Sequence, residues 1–539
     1  VWANDALLLS GLVVIFALSR LTRHRLVRIV LAGLAFAGVV AYVADIVVFR
    51  LLSHRLLMVD VLHFAGDASL LATVVHPMLS RPEGWVFLTA MATVPFAATV
   101  AIATGPANRA LALRWSLFAA ALVAIAALIP QAQYIHQIAF MNLWQVNQEV
   151  DPTRAYSEEF WRQTNLRPGQ ALSCEPGIDK ERSVVVVAVE SLSAYHSKLF
   201  SGLNDYTPNL DLLAKEGTWF SNFYANGYST EGGLIALLTG YVPIPTAGRF
   251  GSTMAFTDVE EDFHRWLKKE GYQTAFFTSG QLSMGQRGDW LRAIGIEYSE
   301  GGEHRFYDGM PRASFGAADD AALVDRFLQW HAKERGKGPF MATLLTVETH
   351  PPFVSASKGA LDEAAAIREV DRQVARLVST LKSRGFFDQG MMLIVGDHRT
   401  MTPIPVAEQR RFGASAPARV YALALGNTGL PRGEWRANQQ QTDLIPSLRY
   451  VIDDHECRSD QQGRFFGDKA SGARYVVHTD PMRRNHVVFV EGDSEYRLVL
   501  DGDDTRWITP PPRIQDADRL REQVNRERMS RMVEFRKPG

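Results

Sequence analysis

Ser183-Val-Val-Val-Val-Ala-Val-Glu190-Ser191 decides how this chain folds. An unbroken run dominated by a β-branched residue is what a central strand buried on both faces requires. The run ends on a carboxylate, and open α/β sheets build their sites just beyond the carboxyl ends of their strands. Alone, Glu190 would read as a residue that opens a loop. Its neighbours in sequence change that reading.

Downstream, Thr207-Pro-Asn-Leu-Asp-Leu-Leu-Ala-Lys-Glu-Gly217 reads as a proline turn followed by a short amphipathic helix ending at glycine. Thr218–Asn226 reads as a strand. Thr230-Glu-Gly-Gly-Leu-Ile-Ala-Leu-Leu-Thr-Gly240 follows as a turn and helix. A Thr before a helix is ordinarily an N-cap, and here that position also offers the free N–H groups and positive dipole end that bind a phosphate. Pro339–Thr346 reads as a strand delivering Val347-Glu348-Thr-His350-Pro-Pro-Phe353, and a helix over Ala365–Arg384 carries Asp371. Met391–Val395 is a second buried strand, ending in Gly396-Asp397-His398, and Thr442-Asp-Leu-Ile-Pro-Ser-Leu448 reads as a helix start. Strands alternating with helices over 181–460 imply an α/β domain: a central, mostly parallel sheet with helices on both faces. Strands at Tyr475–His478 and His486–Val490 and a charged helical tail make 461–539 a small C-terminal β-containing segment with no evident chemistry.

This order of motifs resembles the alkaline-phosphatase/sulfatase superfamily: a strand ending in an acidic ligand, a TPNLDxLAxEG segment, a nucleophile turn closing on LLTG, an Asp-His pair after a strand, and a DLxPTL-like helix. The resemblance implies an alkaline-phosphatase-like fold with Thr230 as nucleophile, Ser229 being its weaker neighbour, and one divalent metal on Glu190, Thr230, Asp397 and His398. Three oxygen ligands and one nitrogen suit manganese and zinc equally. The resemblance tilts the choice to manganese, with magnesium also compatible. Only Glu348 and His350 are available for a second metal, so one is expected. Sulfatases need a Cys or Ser in a CxPSR-like sequence, converted to formylglycine; Thr230-Glu-Gly-Gly-Leu replaces it here, which favours phosphoryl transfer over sulfate-ester hydrolysis. By resemblance His350 is a substrate-binding histidine that protonates the leaving oxygen or holds a phosphate oxygen. Arg287 and Trp290 fall where the family contacts a glycerophosphate, though Gly280-Gln-Leu-Ser-Met-Gly-Gln-Arg287 departs from the family pattern.

Before residue 132 the composition is of another kind. Ala6–Leu18, Ile29–Phe49, Trp85–Thr104 and Trp115–Pro130 approach the ~20 apolar residues that cross a bilayer. A fifth stretch, Leu56–Leu79, is interrupted by Asp60, His63, Asp67 and His76, which suits a packed, interfacial or re-entrant segment. Arg20, Arg23, Arg25 and Arg28 in the first connection and Arg109 and Arg114 before the last helix mark cytoplasmic loops, so four crossings are favoured over five. Residues 1–132 are read as a transmembrane helix bundle, 133–180 as a juxtamembrane linker and the remainder as exported.

A helix bundle followed by such a domain is similar to the lipoteichoic acid synthase family and its Gram-negative phosphoglycerol-transferase relatives. The resemblance implies an enzyme of the bacterial inner membrane with a periplasmic catalytic domain. Its expected reaction moves phosphoglycerol from a phospholipid donor, phosphatidylglycerol, to a glycan acceptor through a phospho-threonine. The alternatives are a phosphoethanolamine transferase acting on lipid A or another glycan, and a headgroup-binding sensor without turnover. A net charge of -1 gives no basic surface for nucleic acid. Cys174 and Cys457 are the only cysteines, with no CxxC pairing; whether they form a disulfide is left open.

Overall fold

The computed structural model describes residues 2–52, 55–58, 99–128, 156–164, 182–245, 253–257, 263–453, 475–480 and 485–531, with a few single positions between 85 and 97 and at 143, 147 and 483. Cys174, Cys457 and most of Leu56–Leu79 lie outside them. The chain divides into two compact units, Val1–Val150 and Asp151–Gly539.

In the first unit the expected multi-helix bundle is described only in part. Three long helices, Trp2–Leu21, Arg25–Leu52 and Arg109–Leu128, are present, and residues 99–104 are helical. Among the described helices, Arg25–Ile46 is the one long and apolar enough to cross a membrane. Phe16 of the first helix meets Trp115 edge-on at 5.4 Å. Arg20 donates through Nη2 to Ala101 O at 2.7 Å, and Arg28 through Nη1 to Gly105 O at 2.7 Å. These guanidinium groups satisfy carbonyls at a helix carboxyl end, where backbone acceptors lack partners and the dipole favours cations. Asn108 N donates to Arg20 O at 2.9 Å, so the two arginine-bearing connections meet at one end of this unit.

The second unit is built on Val184–Val189 (β1). Its further strands are Thr218–Phe220 (β2), Phe223–Tyr224 (β3), Gln273–Thr278 (β4), Tyr298–Glu300 (β5), Phe340–Leu345 (β6), Val354–Ser355 (β7), Gly359–Ala360 (β8), Met391–Gly396 (β9), Ala422–Gly426 (β10), Gly433–Trp435 (β11), Gln439–Gln440 (β12), Val476–Thr479 (β13), His486–Glu491 (β14), Ser494–Val499 (β15) and Arg506–Thr509 (β16). Eight form the main sheet in the order β11-β2-β10-β9-β1-β6-β4-β5. It is mixed by virtue of β10 alone, which runs against both β9 and β2.

Because side chains alternate across a strand, Val184, Val186 and Ala188 enter one core and Val185, Val187 and Val189 the other. Helix Thr230–Thr239 packs into the first core and Glu363–Ser383 into the second, giving the two helical layers expected. Asp371 has a structural place: its carboxylate accepts from Leu210 N at 2.8 Å and Asn209 Nδ2 at 2.6 Å, fixing the start of helix Pro208–Leu213.

The Thr218–Asn226 stretch is two short strands in different sheets, since Ser221 and Asn222 interrupt it. The C-terminal segment holds more than its two expected strands. A four-stranded antiparallel sheet, β13-β14-β15-β16, is covered by helix Ile514–Ser530. Tyr156 and Ser157, in the second unit, seat on it: Tyr156 Oη donates to Asn525 Oδ1 at 2.6 Å and Ser157 N to Asp503 Oδ1 at 2.9 Å.

Candidate active site

β9, β1 and β6 are neighbouring parallel strands, and each is followed by an acidic residue: Asp397, Glu190 and Glu348. Helix Thr230–Thr239 brings its N-terminus to the same end. Its cap is Ser229 rather than Thr230: Ser229 Oγ accepts from Gly232 N at 3.3 Å, which commits that hydroxyl to the helix. Thr230, the first helical residue, is thereby free to turn its hydroxyl to the strand ends, where it donates to Glu190 Oε2 at 3.0 Å and lies 3.5 Å from His398 Nε2. The helix reaches this close because Gly233 has no side chain. A Cβ there would sit 2.1 Å from Asp397 O.

Glu190, Asp397 and His398 are buried, at 3 %, 0 % and 0 % exposure. One ligand atom from each lies within 4.8 Å of the others, and among the described residues this is the one such group. His398 Nε2 is 3.2 Å from Glu190 Oε1 and 3.6 Å from Asp397 Oδ2. Asp397 Oδ1 accepts from Ser191 N at 2.8 Å and His398 N at 2.7 Å, while buried Oδ2 has no hydrogen-bond partner. His398 Nδ1 donates to Arg399 O at 2.8 Å, which leaves Nε2 as the lone-pair nitrogen. An orphaned carboxylate oxygen, a second carboxylate and an oriented imidazole in a dry site fit a divalent cation.

The electrostatics agree. Burial works against charge on Glu190, but the facing His398 outweighs it and holds the carboxyl low. Burial pushes Asp397 up, and the nearby negative charge of Glu190 pushes it further. Burial opposes charge on His398, which the two carboxylates nevertheless raise. The two carboxylates thus demand a positive charge beside them, which a proton on His398 Nε2 meets in the metal-free site and which a divalent cation would supply in its place.

His350 is half-buried with its ring edge-on to Phe315 at 4.6 Å. Burial lowers its pKa, and it lies within electrostatic reach of Glu190, His398 and Glu231, which places it beside the cluster. Arg287 reaches Glu231, the residue after Thr230: Nη2 is 3.4 Å from Glu231 Oε1. Trp290, expected among substrate contacts, is instead a core residue at 0 % exposure whose indole N–H donates to Phe256 O at 3.4 Å. Its neighbours in the core are apolar, so it has no face open to a headgroup. Glu348 does not join the ligand group either. Its Oε2 accepts from Asp320 N at 2.7 Å, and Asp320 Oδ1 accepts from Val347 N at 2.9 Å, so the two residues lock the end of β6 to helix Asp320–Lys333.

Asn226, Gln441 and His478 adjoin this site and are not evident from sequence. Gln441 Nε2 donates to Asp397 O at 2.6 Å, and His478 Nδ1 donates to Ala225 O at 2.8 Å. Amides in loops carry no periodic signal, and His478 reads as part of an ordinary alternating strand.

Residues 182–451, half of the chain, match the Sulfatase family. The chain belongs to the sulfatase family. Within it, the chain is 27% identical over 246 residues to phosphoglycerol transferase I of Xanthomonas euvesicatoria, which covers 42% of this chain and 34% of that one. It is 24% identical over 241 residues to the lipoteichoic acid synthase-like protein YvgJ of Bacillus subtilis, covering 41% and 37%. The matched part therefore spans about a third of the length of these curated relatives. A crystal structure of an alkaline phosphatase superfamily protein from Vibrio parahaemolyticus shares the fold, with a TM-score of 0.50 at 16% identity, over 69% of this chain and 93% of that one.

Proposed function

We propose that this sulfatase-family chain is a membrane-anchored phosphoglycerol transferase that works through a covalent phospho-Thr230. The observation that carries the reading is the Thr230 hydroxyl, at a helix N-terminus and 3.0 Å from Glu190 within the buried ligand group. Relatives named phosphoglycerol transferase I and lipoteichoic acid synthase-like support the headgroup. Glu190, Asp397, His398 and Thr230 would hold one divalent ion, manganese being favoured with zinc and magnesium as alternatives. When bound, that ion would lower the pKa of a ligating hydroxyl and neutralise developing charge.

The chain's own groups divide the remaining work. Thr230 Oγ1 forms a bond to the phosphorus of phosphatidylglycerol as the bond from phosphorus to the diacylglycerol oxygen breaks. Glu190 orients the hydroxyl through its hydrogen bond while the hydroxyl proton is lost to solvent, and His350 in its protonated form gives a proton to the departing oxygen. The free N–H groups of the helix beginning at Thr230 face the anionic phosphoryl group. In the second half an acceptor hydroxyl of a glycan displaces the phosphoglycerol. Its proton goes to His350, and Thr230 regains a proton from solvent. Arg287 through Glu231 steadies the turn beside the nucleophile.

The bilayer supplies the donor, and tethering raises its effective concentration. The meeting of the two arginine-bearing connections at one end of the first unit supports four crossings: a fifth, through Leu56–Leu79, would put them on opposite sides. With both cytoplasmic, the second unit is exported to the periplasm.

Vesicles holding either headgroup-labelled phosphatidylglycerol or phosphatidylethanolamine, offered to the manganese-loaded full chain, test the substrate. Diacylglycerol release from the first alone is the expected result. Release only from phosphatidylethanolamine would replace the headgroup, and binding of either without release would leave a sensor.

A further inference from the structure

Asn226, four residues before Thr230, is fully buried, and each of its polar atoms is engaged. Its N–H donates to Gln441 Oε1 at 3.1 Å, and Nδ2 donates to Gln440 Oε1 at 3.0 Å and to Val477 O at 2.7 Å. Oδ1 accepts from Thr442 N at 3.0 Å, and its carbonyl accepts from Thr479 N at 3.0 Å. Gln441, also buried, extends the network to the metal-site strand by donating through Nε2 to Gly396 O at 2.9 Å and Asp397 O at 2.6 Å. Two side-chain amides thus join three things: the segment that leads into the nucleophile, the strand end that presents Asp397 and His398, and β13 of the C-terminal sheet.

An apolar contact between sheet and domain would give cohesion without direction. A buried amide network is different, because each unmade bond leaves a desolvated group and the arrangement is satisfied in one geometry only. The direction it fixes is the approach of the nucleophile turn to the end of β9, the same approach that leaves no room for a Cβ at Gly233.

We propose that Asn226 and Gln441 are positioning residues, and that through them the C-terminal sheet sets the distance from Thr230 to Asp397 and His398. The inference rests on Thr230 being the nucleophile. It gives β13–β16 a part in the reaction although they contribute no group that touches substrate.

The test compares full-length wild type with Asn226→Asp, which removes the two Nδ2 donations, and Gln441→Glu, which removes the two Nε2 donations but keeps the acceptor for Asn226 N–H. Val524→Ala serves as control: it opens a cavity in the C-terminal core without touching the network. Two readouts are taken well below every melting temperature: amide hydrogen exchange over residues 227–233, and kcat and KM for headgroup release from phosphatidylglycerol vesicles with manganese. Both network variants are expected to exchange at least tenfold faster over 227–233 and to lose at least tenfold in kcat, with KM within twofold of wild type. Val524→Ala lowers the melting temperature and changes neither. Exchange at the wild-type rate in both network variants, kcat within threefold of wild type in both, or an equal kcat loss in Val524→Ala would overturn the proposal. A wild type that releases no headgroup defeats the functional reading instead, and the exchange arm then decides this inference alone.

Discussion

The Thr230 hydroxyl donates to Glu190 Oε2 across 3.0 Å, although the two residues stand 40 positions apart in sequence. One ends the central strand and the other begins a helix capped by its neighbour Ser229. The cap matters as much as Thr230 itself, because Ser229 takes the N–H of Gly232 while the Thr230 hydroxyl turns to Glu190. Thr230→Ala is expected to abolish covalent labelling and to reduce turnover on the order of 10³-fold or more, with KM little changed. Ser229→Ala should instead cost ~1 kcal/mol of stability and retain labelling. Parallel thermal melts and single-turnover assays separate the two.

Asp397 Oδ2 is buried without a partner, and such an atom costs free energy until a cation or donor meets it. Manganese or zinc at a hundredfold excess over Kd should therefore stabilise the wild type by about 2.7 kcal/mol. Asp397→Asn is expected to lose most of that metal-dependent shift while leaving the melting temperature of the metal-free protein unchanged or raised. Calorimetric titration and melts with and without chelator measure both.

Gly233 faces Asp397 O so closely that a Cβ would lie 2.1 Å away, and the obstacle is backbone rather than a movable side chain. Gly233→Ala is expected to destabilise by roughly 3 kcal/mol, the upper part of the usual overpacking range. It should also slow Thr230 labelling per folded molecule, because the helix must withdraw from β9. Gly202→Ala is the control: nothing lies near its Cβ, and its cost is confined to its own positive φ of 77°.

His264 has a place in the acid stability of the second unit. Burial lowers its pKa to about 4, against the partial offset of a hydrogen bond to Leu238 O. In the unfolded chain it titrates near ~6.5. Between those values the unfolded state binds the extra proton, so stability is complete above about 6.5 and is lost as pH falls toward 4. His264→Gln should flatten the dependence of unfolding free energy on pH by up to ~1.4 kcal/mol per pH unit within that window, and leave it unchanged above pH 7. Denaturant melts at pH 4.5, 5.5 and 7.5 would show this.

Sequence carries the parts of this protein that repeat a chemical or periodic signal. Val184–Val189 reads as a doubly buried strand because nothing polar interrupts it, and the strand ending at Asp397-His398 reads the same way. The buried group Glu190, Asp397 and His398 follows, since these residues lie just beyond strands whose positions are already given. Trp290 is less legible: an aromatic beside an arginine reads equally as a platform for substrate and as core, and only packing around it decides. The hidden part is the amide network, because Asn226 and Gln441 owe their importance to partners hundreds of positions away. The last two strands of the C-terminal sheet were similarly obscured: charged Ser494–Val499 and Arg506–Thr509 lack the apolar run that marks β13 and β14.

The most direct test of the account is intact and peptide mass spectrometry of the full chain after brief incubation with manganese and phosphatidylglycerol vesicles, beside Thr230→Ala. The account predicts a glycerophosphate adduct on the peptide carrying Thr230 and none in the variant. An adduct on another residue, or headgroup transfer by Thr230→Ala at the wild-type rate, would contradict it.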